Sequence, residues 1–273
     1  MERYVISAEL DLPKTKTVVN PRELDNFRAD LTENLQNIGK DPLWIASETL
    51  RSGLKRAINR STTPIVSLDD RYINPDEASD FLGVSRAVDE NLDDFGYLPR
   101  VNYPTTKIQL DQIARKYRKV RLLDDVVFSG ENMCWLIDEL TKRNVEVDGV
   151  IAGVIIGEGA TKLNEIQMPF DAVAQIANVD DEICERDFAL VNGSGRRMTT
   201  GQNALYFDNI YGRPAKWASI PANETTEFCA ASLQRNLQLL KPKTRMTQIG
   251  QFFGYNNDGL IIDAIKQRME ILQ

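Results

Sequence analysis

The sequence has 273 residues, of which 42% are hydrophobic and 27% are charged, a composition that is ordinary for a globular protein and excludes general disorder. The formal net charge of −7 excludes a surface that binds nucleic acid over its whole extent, because such a surface needs clustered lysine and arginine. The sequence contains no histidine, which excludes Ser-His and Cys-His catalytic pairs, histidine general bases and histidine-ligated metals. A local basic patch is still compatible with this charge.

The cysteines and the lack of long apolar stretches indicate the cellular setting. The three cysteines, Cys134, Cys184 and Cys229, are an odd number without metal-ligand spacing, so neither a disulfide framework nor a zinc site is predicted. No segment has the apolar core of a signal peptide or the roughly 18 apolar residues of a membrane span. We therefore expect a soluble, cytoplasmic protein without a membrane partner. The length fits one α/β domain with appendages.

The first 62 residues are predicted to form an N-terminal extension. After a strand-like segment at residues 4–8, apolar residues at spacings of three and four predict an amphipathic helix over residues 21–38. Asp41 and Pro42 then provide a cap and a first-turn proline for a second helix that runs to about Ile58. Both helices are expected to pack on a sheet formed by the rest of the chain.

Residues 63–200 are predicted to form the α/β core. Its first strand, residues 64–68, is followed by Asp69, Asp70 and Arg71. A short helix capped by Asn74 and Pro75 is expected to run through Phe81, and residues 84–88 read as a strand. Residues 89–103 show little periodicity and predict a long loop, which in a compact domain is usually functional or disordered. Residues 106–119 predict a helix with Ile108, Ile113 and Tyr117 inward and a solvated basic outer face.

A strand, a helix and a second strand follow in about 35 residues. Residues 120–127 are apolar except for Arg121 and the adjacent acids Asp124 and Asp125. Ser129 and Gly130 then provide a turn, and a helix begins near Glu131. The second strand covers residues 145–156. This βαβ order predicts a parallel sheet with a right-handed crossover.

The remainder of the chain is less regular. Residues 172–177 and 186–191 are predicted strands, and the second leads into a turn at residues 192–197 with two glycines and two arginines. That composition suits an anion, and a surface hairpin without a ligand is the alternative. In the C-terminal segment, residues 201–273, the aromatic stretch 206–213 forms either a small lid or core. Helices are expected over residues 225–240, 247–253 and 260–272, the last capped by Asp258.

The run Leu122-Leu123-Asp124-Asp125-Val126-Val127-Phe128-Ser129-Gly130-Glu131-Asn132 resembles the ribose-phosphate binding loop of the type I phosphoribosyltransferases, which use phosphoribosyl pyrophosphate (PRPP). About 100 residues, 64–157, follow that family's order of elements. The resemblance implies an α/β fold with a central, mainly parallel sheet flanked by helices, to which this chain adds an N-terminal helical extension and C-terminal helices. Asn132 departs from the family, which has threonine or serine there, and Glu131 adds a negative charge.

The resemblance also implies residue roles. Asp124 and Asp125 would be the catalytic acids that hold the ribose hydroxyls, and Arg71 with Mg²⁺ would meet the pyrophosphate. The 5′-phosphate would lie against the loop and the first helical amides, where a helix N-terminus attracts anions. The substrate-binding positions implied here are Val127, Phe128, Ser129, Gly130, Glu131 and Asn132.

Three functions follow from these expectations. The first is transfer of ribose 5-phosphate from PRPP, or of a related compound, to a nitrogen nucleophile with release of pyrophosphate. The second is an effector or regulator with the same fold in a bacterial anti-phage system linked to a reverse transcriptase. The third is a glycosyl hydrolase of nucleotides or NAD. A second copy of the chain or a partner protein is expected to bind through the N- and C-terminal helices, and direct nucleic-acid binding is not expected, although it is not excluded.

Overall fold

The computed structural model describes residues 2–15, 18–255 and 259–272. These residues form two compact units. We call them the flanking unit, made of residues 1–45, 87–96 and 180–273, and the central unit, made of residues 46–86 and 97–179. The predicted boundaries after residues 62 and 200 do not coincide with those of the units.

Strands and helices alternate over residues 2–67 and 106–176. In the described residues the strands are β1 Glu2–Ser7, β2 Lys40–Ile45, β3 Ile65–Ser67, β4 Asp80–Phe81, β5 Val84–Val88, β6 Asp94–Pro99, β7 Lys119–Val127, β8 Glu146–Ile156, β9 Phe170–Ile176, β10 Val179–Cys184, β11 Arg196–Met198 and β12 Asn203–Ala204. The helices are α1 Leu24–Asn37, α2 Ser47–Arg60, α3 Thr106–Lys116, α4 Glu131–Thr141, α5 Gly157–Glu165, α6 Pro214–Trp217, α7 Thr225–Leu239, α8 Met246–Ile249 and α9 Ile261–Leu272. None of the described helices is both long and apolar enough to cross a bilayer.

The central unit contains a five-stranded sheet in the order β4-β3-β7-β8-β9, in which each neighbouring pair is parallel. β8 is buried along nearly its whole length, as expected for a strand covered on both faces. Helix α2 packs closely on the sheet, since a Cβ on Gly53 would lie 2.5 Å from the side chain of Val173. The prediction of an α/β fold with a mainly parallel sheet flanked by helices is confirmed.

The strand-helix-strand unit β7-α4-β8 is also confirmed. β7 and β8 pair in parallel over their length, and α4 begins at Glu131, where the sequence predicted it. Gly130 precedes the helix with φ +77°, a left-handed conformation that a residue with a side chain rarely adopts. The glycine therefore allows the sharp change of direction from strand to helix.

The flanking unit has its own sheet and helical core. Its sheet has the order β10-β1-β2, with β1 and β2 parallel, and helices α1, α7 and α9 contribute to a large apolar core. The aromatic stretch at 206–213 starts in this core, because Tyr206 and Phe207 are buried. Of the two alternatives for this stretch, core is therefore correct at these two residues.

Buried charges tie several segments of the flanking unit together. Glu185 is completely buried, and its carboxylate accepts hydrogen bonds from Nε of Arg28 at 2.6 Å and Nη2 of Arg28 at 2.9 Å. The backbone amides of Glu9 and Leu10 donate to the same carboxylate at 2.8 and 2.9 Å. Arg186 in turn donates to both carboxylate oxygens of Glu9 at 2.7 and 2.6 Å. These bonds join the segment after β1 to α1 and to residues 185–186.

The predicted second helix is wrong at its N-terminal end. Asp41 and Pro42 lie within strand β2, which pairs with β1 from Lys40 to Ile45, and the helix α2 begins only at Ser47. β2 is an edge strand of its sheet, where a proline is tolerated because it removes no essential ladder bond. Strand pairing with a distant segment thus outweighed the local capping signal.

Other local predictions need correction. The predicted loop 89–103 contains strand β6, and the predicted strand 186–191 begins instead with a short 3₁₀ helix, Glu185–Phe188. The helix expected through Phe81 is a 3₁₀ turn, Pro75–Glu77, followed by β4. Ile108 is 48% exposed rather than inward. The proposed cap Asp258 lies outside the described residues.

Candidate functional site

The candidate site lies at one edge of the parallel sheet in the central unit. β3 ends at Ser67, β7 at Val127 and β8 at Ile156, and because the strands are parallel, their carboxyl ends meet at the same edge. Ligands of open α/β sheets bind at this edge. The loop after β3, the loop after β7 and the start of α5 at Gly157 therefore surround the candidate site.

The two predicted catalytic acids differ in exposure. Asp124 is buried, whereas Asp125 is half-buried, and both belong to the last four residues of β7 before the loop. The backbone amide of Asp125 donates to Oδ1 of Asp124 at 3.1 Å, and that of Val126 donates to Oδ1 of Asp125 at 3.0 Å. Burial, followed by the charge of Asp125, raises the pKa of Asp124 well above its usual value. Asp125 is therefore the better placed of the two to accept hydrogen bonds from ligand hydroxyls.

Asp69 is a third acid at this edge, and the sequence-based prediction missed it. Its carboxylate is buried and accepts hydrogen bonds from the backbone amides of Arg71 at 2.7 Å, Tyr72 at 3.1 Å and Ile73 at 2.9 Å. Burial and the charge of Asp125 raise the pKa of Asp69 to about 7. Asp69 thus fixes the loop after β3 and places a titratable carboxyl near Asp125.

Arg71, the predicted pyrophosphate ligand, lies in the same loop but is largely covered. Its side chain is 15% exposed, and its Nε lies 3.7 Å from Oδ1 of Asp70. Arg71 is therefore brought to the expected edge of the sheet, next to an acid that offsets its charge.

Arg100 is a second cation at this edge that the sequence did not reveal. It donates from Nη1 to Oδ1 of Asp70 at 2.9 Å and from Nη2 to the carbonyl of Leu68 at 2.7 Å, and its guanidinium lies 5.5 Å from the centre of the Phe81 ring. Its charge also opposes the rise in the pKa of Asp124. Arg100 falls in the stretch that was predicted to be a long loop, directly after β6.

The loop after β7 is held in place by close backbone contacts. A Cβ on Gly159 of α5 would lie 2.5 Å from the carbonyl oxygen of Phe128 and 2.7 Å from that of Val127. Only a glycine therefore allows α5 to approach this closely. The side chain of Val127 belongs to the apolar core, so this residue can meet a ligand only through its backbone.

The start of α4 offers backbone amides to an anion. The first four amides of an α-helix have no partner within the helix, and the helix dipole adds a partial positive charge there. Phe128 and Ser129 are half-buried beside this helix start. The Oγ atom of Ser129 accepts a weak hydrogen bond from the backbone amide of Glu131 at 3.4 Å. The Oδ1 atom of Asn132 is buried and has no hydrogen-bond partner among the described residues.

One arginine offsets the unfavourable charge of Glu131. The carboxylate of Glu131 is 58% exposed, and its Oε2 lies 3.4 Å from Nη2 of Arg86, a residue of β5. A phosphate at the start of α4 would be repelled by Glu131 and attracted by Arg86. The pair therefore makes the local charge nearly neutral and leaves the backbone amides to set the preference for an anion.

The described residues do not form a complete protein metal centre. Among the described residues, no group of three or more Asp, Glu or Cys side chains is arranged to hold a metal ion. Mg²⁺ commonly binds through one or two carboxylates together with the phosphates of a substrate, so a complete protein ligand set is not required for it.

Comparison with known proteins gives matches to solved structures only. No protein-family model and no curated protein matches the sequence. The similar structures include UMP synthase from Leishmania donovani, at 16% identity and a TM-score of 0.29, covering 47% of this chain and 27% of that chain. Orotate phosphoribosyltransferase from Aeropyrum pernix is 16% identical, with a TM-score of 0.29, covering 47% of this chain and 68% of that chain. The protein TT1426 from Thermus thermophilus is 15% identical, with a TM-score of 0.30, covering 47% of this chain and 80% of that chain.

Proposed function

We propose that the central unit binds PRPP or a related ribose 5-phosphate compound and transfers the phosphoribosyl group to a nitrogen nucleophile, releasing pyrophosphate. The observation that carries this proposal is the position of Asp125. It lies at the carboxyl end of β7, six residues before the start of α4, with the left-handed Gly130 between them. A sugar that bears vicinal hydroxyls and a 5′-phosphate has the matching groups for the acid and for the helix amides.

The residues have separate roles in this proposal. Asp125 accepts hydrogen bonds from the ribose hydroxyls, and the backbone from Ser129 to Asn132 holds the 5′-phosphate. Arg71 lies in the loop after β3, Arg100 donates to the carbonyl of Leu68 in the same loop, and both would attract the departing pyrophosphate. Mg²⁺ bound to the pyrophosphate would supply further charge neutralisation when it is present.

The chemistry depends on placement and electrostatics. The bond from the anomeric carbon to the pyrophosphate oxygen breaks, positive charge develops on the ribose ring, and the nitrogen nucleophile forms the new bond. A nearby carboxylate stabilises the developing positive charge, and cations stabilise the departing pyrophosphate. No histidine base is needed for either effect.

The replacement Asp125→Asn tests this function. The amide keeps the size of the side chain but removes the charge that stabilises the ribose cation, so turnover of PRPP should fall by a factor on the order of 100 or more, with an unchanged melting temperature. The assay measures pyrophosphate release from PRPP and Mg²⁺ with a panel of nucleobases as acceptors. A shift of the melting temperature by PRPP measures binding separately, because a ligand that binds only the native state stabilises it. The absence of both binding and turnover in the wild-type protein would refute the proposal.

Hydrolysis is a second candidate, favoured by the raised pKa of Asp69. Asp69, with a pKa of about 7, and Asp125 lie near each other. In pairs of carboxyl groups whose pKa values differ, one group acts as the acid and the other as the base. In this case water replaces the nitrogen nucleophile, and a carboxylate such as Asp125 or Glu131 positions it. Consumption of NAD or a nucleotide without added pyrophosphate or base would distinguish hydrolysis from transfer.

A further inference from the structure

The turn at residues 192–197 in the flanking unit has no role in the function proposed above. Gly193 and Gly195 adopt φ +84° and +76°, so the glycines are needed for the left-handed backbone. The amide of Ser194 donates to the carbonyl of Val191 at 3.1 Å, and that of Gly195 donates to Oδ1 of Asp187 at 2.7 Å. These two amides are used within the protein and are therefore not available to an anion.

Arg196 lies in the last part of this turn, at the start of β11, and its side chain is a different case. Its guanidinium lies 4.8 Å from the centre of the Trp217 ring and 5.7 Å from that of Tyr206. Its Nε is buried and has no hydrogen-bond partner, and within the described parts of the chain no carboxylate forms an ion pair with it. A half-buried guanidinium that rests on two aromatic rings is poorly hydrated, which strengthens its attraction to an oxyanion.

Trp217 adds a second donor and brings a second cation. Its indole Nε1 is buried without an acceptor among the described residues, and Nζ of Lys216 lies 4.5 Å from the centre of the same ring. Lys216 is 46% exposed, and its ion partner Asp93 is 3.7 Å away, a long separation for such a pair. Leaving a buried donor unsatisfied is unfavourable, so an acceptor at this place would be stabilising.

Asp181, an acid that acts electrostatically on Arg196, does not supply that acceptor. Its carboxylate accepts hydrogen bonds from Ser219 and from the backbone amide of Glu182, the latter at 2.9 Å. The charge of Arg196 is therefore incompletely balanced by the residues around it.

We propose that Arg196, Lys216 and Trp217 form an oxyanion-binding site, which takes the phosphate or carboxylate group of a small molecule. The guanidinium and the ammonium supply charge, and the indole Nε1–H and the guanidinium supply hydrogen bonds. All three residues belong to the flanking unit, so this inference is independent of the function proposed for the central unit.

Calorimetric titration of the full chain with inorganic phosphate and with acetate, at constant ionic strength, tests the site. Saturable binding of phosphate alone identifies a phosphate site, and binding of acetate as well identifies a general oxyanion site. Arg196→Gln should weaken binding about tenfold or more, because it removes a charged hydrogen-bond donor. Trp217→Phe, which keeps a ring but removes the N–H, should weaken it several-fold, and Lys216→Gln should do the same. Melting curves establish that each variant is folded.

Three matched variants serve as controls. Trp44→Phe removes an indole N–H that is already bonded to Oγ1 of Thr32 at 2.9 Å, and Lys142→Gln removes a surface cation that pairs with acids of α4. Neither should change binding. In Arg86→Gln, weaker phosphate binding would indicate that the phosphate binds at the start of α4 and not at Arg196. Absence of saturable binding to the wild-type protein, or unchanged binding in Lys216→Gln and Trp217→Phe, would overturn the proposal even if Arg196→Gln fails to fold.

Discussion

The backbone carbonyl of Asp125 lies directly against Gly153 of the neighbouring strand, so closely that a Cβ on Gly153 would be 2.5 Å from the carbonyl oxygen. Gly153→Ala should therefore push β7 and β8 apart at the acidic pair. Overpacking of this kind costs about 1–3 kcal/mol, and we expect a lower melting temperature together with weaker PRPP binding. Gly259→Ala is the control, because a Cβ there meets no atom within 4 Å. Equal melting temperatures for the two variants would contradict the contact.

The pair formed by Arg86 and Glu131 should tune phosphate affinity in opposite directions. Arg86→Gln removes the favourable charge and should weaken binding of ribose 5-phosphate by about threefold to tenfold, whereas Glu131→Gln removes the repulsion and should strengthen it. Equilibrium titration with ribose 5-phosphate and with ribose measures the effect, which should appear only for the phosphorylated sugar. Lys142→Gln, which removes a cation from the far end of α4, should leave binding unchanged. Changes of the same sign in both variants would rule out this electrostatic role.

Asp69 should make stability depend on pH. Because its pKa is raised from 3.8 to about 7 in the folded protein, the folded state holds a proton that the unfolded chain releases between these values. The stabilisation is fully present below the unfolded pKa of 3.8 and is lost as pH rises through about 7. The free energy of unfolding should therefore fall over this range in the wild-type protein and fall less steeply in Asp69→Asn. Urea unfolding at several pH values measures the slope, and parallel profiles would show that Asp69 does not titrate in this way.

Removal of the buried carboxylate at Glu185 should destabilise the flanking unit strongly. Glu185→Ala leaves Arg28 without its bidentate partner and leaves the backbone amides of Glu9 and Leu10 without their acceptor. Breaking a buried pair costs about 3–5 kcal/mol. The midpoint of urea unfolding should drop accordingly, whereas Asp138→Asn, which breaks an exposed pair with Lys142, should cost less than about 1 kcal/mol. A similar small loss for both variants would show that the buried network contributes little.

The parts of the fold that were predicted from sequence are those encoded locally. The apolar residues of β7 and β8, the turn at Ser129 and Gly130 and the helix after it follow one another within about 35 residues, so periodicity alone revealed the βαβ unit. Asp124 and Asp125 were singled out because residues 122–132 resemble the ribose-phosphate binding loop, which is also a local feature of the sequence. The roles assigned to these residues, a homodimer or protein partner, and a part in anti-phage defence stay predictions.

The features that were missed depend on residues distant in sequence. β2 forms by pairing with β1, about 38 residues earlier in the chain, which no local signal at Asp41 or Pro42 could reveal. Arg100 belongs to the candidate site because it bonds to Asp70 and Leu68, some 30 residues away. Asp69 could have been noticed from one weak signal in the sequence. An aspartate directly after an apolar strand is a residue type that often caps a tight turn through its side chain.

The division of the chain has a consequence for the order in which the protein folds during synthesis. All residues of the central unit precede residue 180, whereas the flanking unit needs residues 1–45, 87–96 and 180–273 together. The central unit can therefore complete its parallel sheet while the ribosome is still making the C-terminal third. Residues 1–45 are synthesised before the central unit, but their apolar core can form only after α7, α9 and β10 have been synthesised. A truncated translation product that ends near residue 180 would thus contain all residues of the candidate site. The hydrophobic face of its N-terminal segment would still be exposed and could bind chaperones.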